Sequence, residues 1–131
     1  MKKSVVLLLG IIAFASCHEN LEDRAAREAK EYTEKYCPTP DENFTRTDSV
    51  VFEKSTKTYR YYCTLTGIMD DAQIINQNKA TLHTQLAKSL AESTNIKAYK
   101  DAGFNFGYTC HSEKNPQVVL YEDVFTKEDY Q

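Results

Sequence analysis

The residues of this sequence best equipped for chemistry are four cysteines, Cys17, Cys37, Cys63 and Cys110, and three histidines, His18, His83 and His111. Their spacing argues against the common uses. Zinc sites draw on Cys-x-x-Cys, His-x-x-x-His or His-Glu-x-x-His patterns that bring ligands to one turn or one helix face, and none occurs here. The acidic neighbours Asp41-Glu42, Asp70-Asp71 and Glu122-Asp123 lack the regular ligand spacing of a calcium loop and read as caps and solvated turns. Four glycines in the whole chain supply no phosphate-cradling loop. Cys110 and His111 are a nucleophile and a base in sequence only, because adjacent side chains of a strand leave by opposite faces. Cys37 with a distant His is the remaining pairing, and such a Cys is far more often structural. The pattern predicts no catalytic residue, no metal and no cofactor.

Cys17 answers to a different chemistry. Met1-Lys2-Lys3 is short and basic, and Val5 to Phe14 form an apolar run broken only by Gly10. A run of this length is an export signal, since a membrane span takes roughly 20 apolar residues to cross about 30 Å of hydrocarbon. Two processing readings compete. Ala13-Phe14-Ala15 fits ordinary signal peptidase, whereas Phe14-Ala15-Ser16-Cys17 resembles a bacterial lipobox, with Phe14 where that motif usually carries Leu. The lipobox is the favoured reading: residues 1–16 are removed, Cys17 is lipidated, and residues 17–131 are held at the membrane as one globular domain. Each buried methylene of the lipid contributes about 0.8 kcal/mol to anchoring. His18, in place of Asp after the Cys, resembles the pattern of lipoproteins sent to the outer membrane; the periplasmic or surface face is left open.

Loss of the two signal lysines leaves 14 basic against 19 acidic side chains, a formal charge of −5. That balance disfavours nucleic acid and anionic lipid surfaces, whose binding needs basic patches. A chain of this size supports one modest core.

The elements that must position these residues follow from periodicity. An N-terminal helix is expected over about 20–37, with Asn20 as N-cap, Leu21, Ala25, Ala29, Tyr32 and Tyr36 on its buried face, and Asp23–Arg27 and Glu31–Lys35 as ion pairs on its wet face. Cys37-Pro38-Thr39-Pro40 stops it. Strands are expected at 47–53 and 58–66, the second alternating Tyr59, Tyr61, Cys63 and Leu65 against Arg60, Tyr62, Thr64 and Thr66. Asp70 or Asp71 caps a long helix with the stripe Ile75, Leu82, Leu86 and Leu90. A short helix at 96–102 ends on Gly103 in a left-handed C-cap. Phe104, Phe106, Tyr108 and Cys110 then alternate against Asn105, Gly107, Thr109 and His111, a last strand covers 117–125, and residues 126–131 are expected to fray or pack loosely.

The order αββαββ predicts an α+β two-layer sandwich: a mostly antiparallel four-stranded sheet with helices on one face, cystatin-like or a relative. Its polar face, carrying Arg60, Tyr62, Thr64, Asn105, Thr109 and His111, is the candidate binding face, with a plain solvated sheet as the alternative. Lipidation of Cys17 leaves three thiols in an oxidising compartment, so at most one bridge forms within the chain. Cys63 and Cys110 share the core face and can pair if their strands are neighbours; the alternative is two buried free thiols. Cys37 is then left alone or pairs with either. Without lipidation four thiols allow two bridges in three connectivities.

The stretches "CP" at 37–38, "TRTDSV" at 45–50, "YRYYCTLTG" at 59–67 and "KAYKDAGFNFGYTCHSEKN" at 97–115 resemble a family of small uncharacterised Bacteroidetes lipoproteins over about residues 37–128. The resemblance implies no activity. It implies Tyr at positions 63 and 110, where this chain has Cys. Asp48-Ser49-Val50 also resembles the O-glycosylation motif of that phylum. The expected function is a non-catalytic cell-envelope lipoprotein, anchored by its lipid and interacting with a protein or glycan partner. An inhibitor or immunity-like protein acting on an envelope enzyme is the alternative.

Overall fold

The computed structural model describes residues 19–131; the expected export signal, the expected lipidation site Cys17, and His18 lie outside the described residues. Helix α1 spans Leu21–Tyr36, with the Asn20 side chain accepting from the Asp23 N–H at 2.7 Å. Cys37 is extended, as the following Pro requires, and closes the last turn onto the Thr33 carbonyl. The helix packs along the edge strand and not over the sheet centre, so its buried stripe is narrow. Ala25 and Ala29 fill it. Tyr32 and Tyr36, expected inside, are 40% and 60% exposed and pack against each other at a tilt of 44°, with ring centroids 5.2 Å apart. The wet-face pairs differ as well. Arg27 bonds Glu19 and Glu31, Arg24 bonds Glu28, and Asp23 is drawn across to Lys54 by the neighbouring hairpin.

Strand β1 (Thr45–Glu53) turns through a left-handed Lys57 into β2 (Thr58–Leu65). Strand β3 (Asn105–Ser112) lies beside β2, and β4 (Val119–Phe125) beside β3, in spatial order 1-2-3-4. The outer pairs are antiparallel and the central β2–β3 pair is parallel. A parallel pair needs a crossover, which residues 66–104 provide. Along the free edge of β1, Thr33 Oγ1 accepts from the Val50 N–H at 2.8 Å and Thr39 Oγ1 from the Thr47 N–H at 2.9 Å. Those two side chains occupy backbone groups that would otherwise template another strand.

The crossover carries α2 (Ala72–Gln77), α3 (Lys79–Glu92) and α4 (Lys97–Asp101). Asp71 caps α2, accepting from the Gln73 and Ile74 N–H groups. The long helix expected here is broken at Asn78, whose side chain donates to the Ile74 carbonyl at 2.7 Å and ends the first segment. Gly103 has φ +76°, the left-handed cap expected of it. After β4, residues 127–130 form a one-turn helix, α5 (Lys127–Tyr130), where a loose tail was expected. A reciprocal Thr126–Asp129 capping box starts α5, and the Tyr130 hydroxyl donates to the Phe104 carbonyl at 2.7 Å. Burial of that ring supplies the packing that tail sequences usually lack.

The inner face of the sheet meets α1 on one side and the crossover helices on the other. Toward the β1–β2 hairpin lies a core of Ala25, Ala29, Phe52, Tyr59, Tyr99, Phe104, Phe106 and Phe125 with their neighbours. Toward the opposite end lies a second, smaller cluster of Cys63, Leu65, Ile75, Cys110 and Tyr121.

Candidate functional site

Beside α2 and α3, at the end of the sheet away from the β1–β2 hairpin, the inner face is incompletely covered, leaving a groove of about 270 Å³. Its floor is Tyr61, Cys63, Tyr108 and Cys110, and its walls include Leu82 and Leu86 of α3, Ile75 of α2 and Met69. Tyr61 and Tyr108 stack at 5.0 Å and 13°, forming a flat aromatic floor beside the thiols. These tyrosines and the two leucines are only half-buried, so the groove reaches solvent. Burial pushes both tyrosine hydroxyls far above their usual range, keeping the floor uncharged. The lining is mostly apolar with few polar atoms, as ligand and peptide sites commonly are. A larger depression of about 390 Å³ lies outside it, between α1 and the edge of β1.

One row of residues crosses the groove floor in register through all four strands: Thr47, Cys63, Cys110 and Tyr121. The strands of Cys63 and Cys110 are thus neighbours, as pairing requires, and both residues are buried free thiols. Cys37 is half-buried beyond the end of α1, and burial raises its thiol pKa.

On the outer face, four of the six residues expected to bind, Arg60, Tyr62, Thr109 and His111, line one shallow cleft with Glu53, Glu122 and Val124. Arg60 lies flat across β3, its Nε donating to Glu53 at 3.2 Å and Nη1 to Thr109 at 3.3 Å. Gly107 is what permits this, because a Cβ there would stand 2.9 Å from Nη1. The Thr109 hydroxyl donates to Glu122 at 3.0 Å. The other two residues stand apart. Thr64 is buried, donating to Asp48 at 2.5 Å, and Asn105 is spent on the Thr56 carbonyl. His111 Nδ1 is buried without a partner. Ser49, in the glycosylation-like triplet, sits half-buried on β1.

His83 meets a carboxylate, with Nδ1 2.7 Å from Asp123 Oδ2 and the ring stacked on Phe125 at 4.7 Å. The Tyr121 hydroxyl donates to the same oxygen at 2.6 Å, and His83 Nε2 faces Asp129 at 3.9 Å. This cluster ties α3 to the β4 side of the sheet and meets the groove only through Tyr121. Asp70 serves structure too, accepting from the Ser112 hydroxyl at 2.5 Å and the Lys114 N–H at 3.0 Å. Among the described residues no three His, Cys, Asp or Glu side chains gather as a metal cluster, and no helix is long and apolar enough to cross a membrane.

The groove was not singled out from sequence. The available signal was the strand alternation, which put two small thiols among tyrosines on one face.

A chain built this way can be placed among known proteins. It belongs to the family defined by a domain of unknown function, DUF8479. The match covers residues 20–121, all four strands up to Tyr121 with both sides of the groove. No curated protein matches the sequence. Three solved structures share its fold. A secreted protein of Pseudomonas aeruginosa, PA3611, superposes with a TM-score of 0.67 at 15% identity, over 87% of this chain and 100% of that one. The type II secretion system pilotin AspS of Vibrio cholerae gives 0.60 at 15% identity, over 89% and 98%. The type 2 secretion system pilotin EpsS of Vibrio vulnificus gives 0.63 at 11%, over 85% and 92%. At these identities the likeness is one of fold.

Proposed function

We propose that this protein is a non-catalytic, lipid-anchored component of the cell envelope whose inner-face groove receives an apolar segment of a protein partner. The observation that carries the reading is the groove itself: an apolar, aromatic-floored channel that the protein's own helices leave uncovered. The shared fold of an exported protein and two pilotins of secretion systems supports an envelope setting and a protein partner. Lipidation of Cys17 would hold the Leu21 end of α1 at the bilayer. The helix that follows has 16 residues and is about 24 Å long at 1.5 Å per residue.

The test uses the full-length, anchored protein carrying a photo-crosslinking side chain at Leu82, in the groove, or at Tyr62, on the outer face. A discrete crosslinked protein is expected from position 82 and not from 62, and Leu86→Glu should abolish it. Crosslinking from 62 alone would move the partner to the outer face. Fatty-acid labelling of wild type but not of Cys17→Ala checks the anchor.

A further inference from the structure

The thiols on the groove floor have a geometry that the partner-binding reading does not use. Cys63 and Cys110 are in-register neighbours on the parallel β2–β3 pair, so their side chains leave the sheet side by side on the same face. Both line a groove that reaches solvent, which gives a thiol reagent a path to two residues otherwise buried. We infer that Cys63 and Cys110 form a reversible dithiol–disulfide pair served through the groove, with Cys63 as the attacking sulfur and a disulfide-bonded reagent as the oxidant.

The register row distinguishes the two sulfurs. Cys63 stands between Thr47 and Cys110, so a hydroxyl and a thiol can both donate to its thiolate. Cys110 stands between Cys63 and Tyr121, and the Tyr121 hydroxyl is already given to Asp123. In keeping with this, the Cys110 and Thr47 donors lower the Cys63 thiol pKa, while the neighbouring Cys63 sulfur and burial raise that of Cys110. The lower thiol of such a pair is the nucleophile.

The exchange balances. The Cys63 thiolate attacks one sulfur of the reagent RSSR, forming Cys63–S–S–R and expelling RS⁻, which takes the proton of Cys110. The Cys110 thiolate then attacks the Cys63 sulfur and expels the second RS⁻, which takes the proton that Cys63 released. Two protein thiols lose two electrons and the reagent becomes two RSH. Neighbouring strands lie about 4.8 Å apart, inside the range of about 4.4–6.8 Å that separates the Cα atoms of disulfide-bonded residues, so the pair can close without rearranging the sheet.

The inference stands independently of any groove partner, and its test needs none. The full-length protein in detergent, bearing Cys37→Ser, is treated under native conditions with glutathione disulfide, acid-quenched and peptide-mapped. A Cys63–Cys110 linkage is expected, reopening with reduced glutathione. In Cys110→Ser the glutathione adduct should remain on Cys63, and in Cys63→Ser the adduct on Cys110 should form about tenfold more slowly. Wild-type protein, which needs no substitution to fold, should take up one phenylarsine oxide per chain, bridging both sulfurs with loss of one water. Adducts forming first on Cys110, a Cys37–Cys63 bridge as the main product in wild type, or reaction only in denaturant would each overturn the assignment.

Discussion

Toward the β1–β2 hairpin the inner face of the sheet is filled with rings: Phe106 is fully buried, Tyr59 stacks on Tyr99 at 5.6 Å, and Phe52 meets Phe104 at 5.0 Å. Toward the other end the same strands carry Cys63 and Cys110 between tyrosines, and a groove remains. Alternation along β2 and β3 is the same in both halves, but side-chain volume is not. Where rings interdigitate, the space between sheet and helices closes; where two thiols stand, it stays open. What holds the groove half together is correspondingly more polar, with Asp70 tying the start of the crossover to Ser112 and Lys114 at the end of β3.

That contrast can be broken first at its strongest point. Phe106→Ala should cost about 3–5 kcal/mol in denaturant unfolding, whereas Leu82→Ala on the half-buried groove wall should cost about 1 kcal/mol. Equal losses would mean that the two halves are packed alike. Acid sharpens the comparison next. The Ser112 hydroxyl and the Lys114 N–H hold the Asp70 carboxyl below its ordinary value of 3.8. A carboxyl so depressed contributes stability that is present above its unfolded pKa and lost as pH falls through its folded one. Amide exchange near Ser112 should accelerate below pH 3.8 before that near Phe106 does, and Asp70→Asn should remove this pH dependence.

Smaller effects follow. Asn20→Ala removes the α1 cap and should lower stability by about 1 kcal/mol, detectable as a shifted midpoint, without changing the groove. Cys110→Tyr, which restores the ring implied by the lipoprotein resemblance, should change stability by less than about 1 kcal/mol because the groove has room for it. Titration with an apolar fluorescent dye should then show the groove closed. Undiminished dye binding would locate the apolar site elsewhere.

Much of the fold was readable along the chain because its signals are local. The α1 bounds, the Asn20 cap, a cap at Asp70 or Asp71 that the structure assigns to Asp71, the Gly103 turn and the alternation of β2 and β3 each depend on residues within a few positions of one another. Readings that needed the path of a neighbouring element fared worse. Tyr32 and Tyr36 lie on the correct helical stripe, yet stay exposed because α1 rides the sheet edge. Helical spacing pairs Asp23 with Arg27, but the neighbouring hairpin brings Lys54 to it, and the tail is a capped turn because Phe104 offers Tyr130 a carbonyl. Of the outer face, four residues share one cleft and two are spent on internal bonds.

The sequence by itself determined the α+β class, which strand residues share a face and the absence of recognised metal and phosphate-loop spacings, and it carries the expectation of an export signal and an anchor at Cys17, since each of these is a matter of composition or short period. Only the tertiary structure decided that β2 and β3 run parallel, that Cys63 and Cys110 are in register, and that the helices over them leave a groove. Those facts depend on how far one element stands from another, and that distance is set by the summed volumes of side chains remote in sequence.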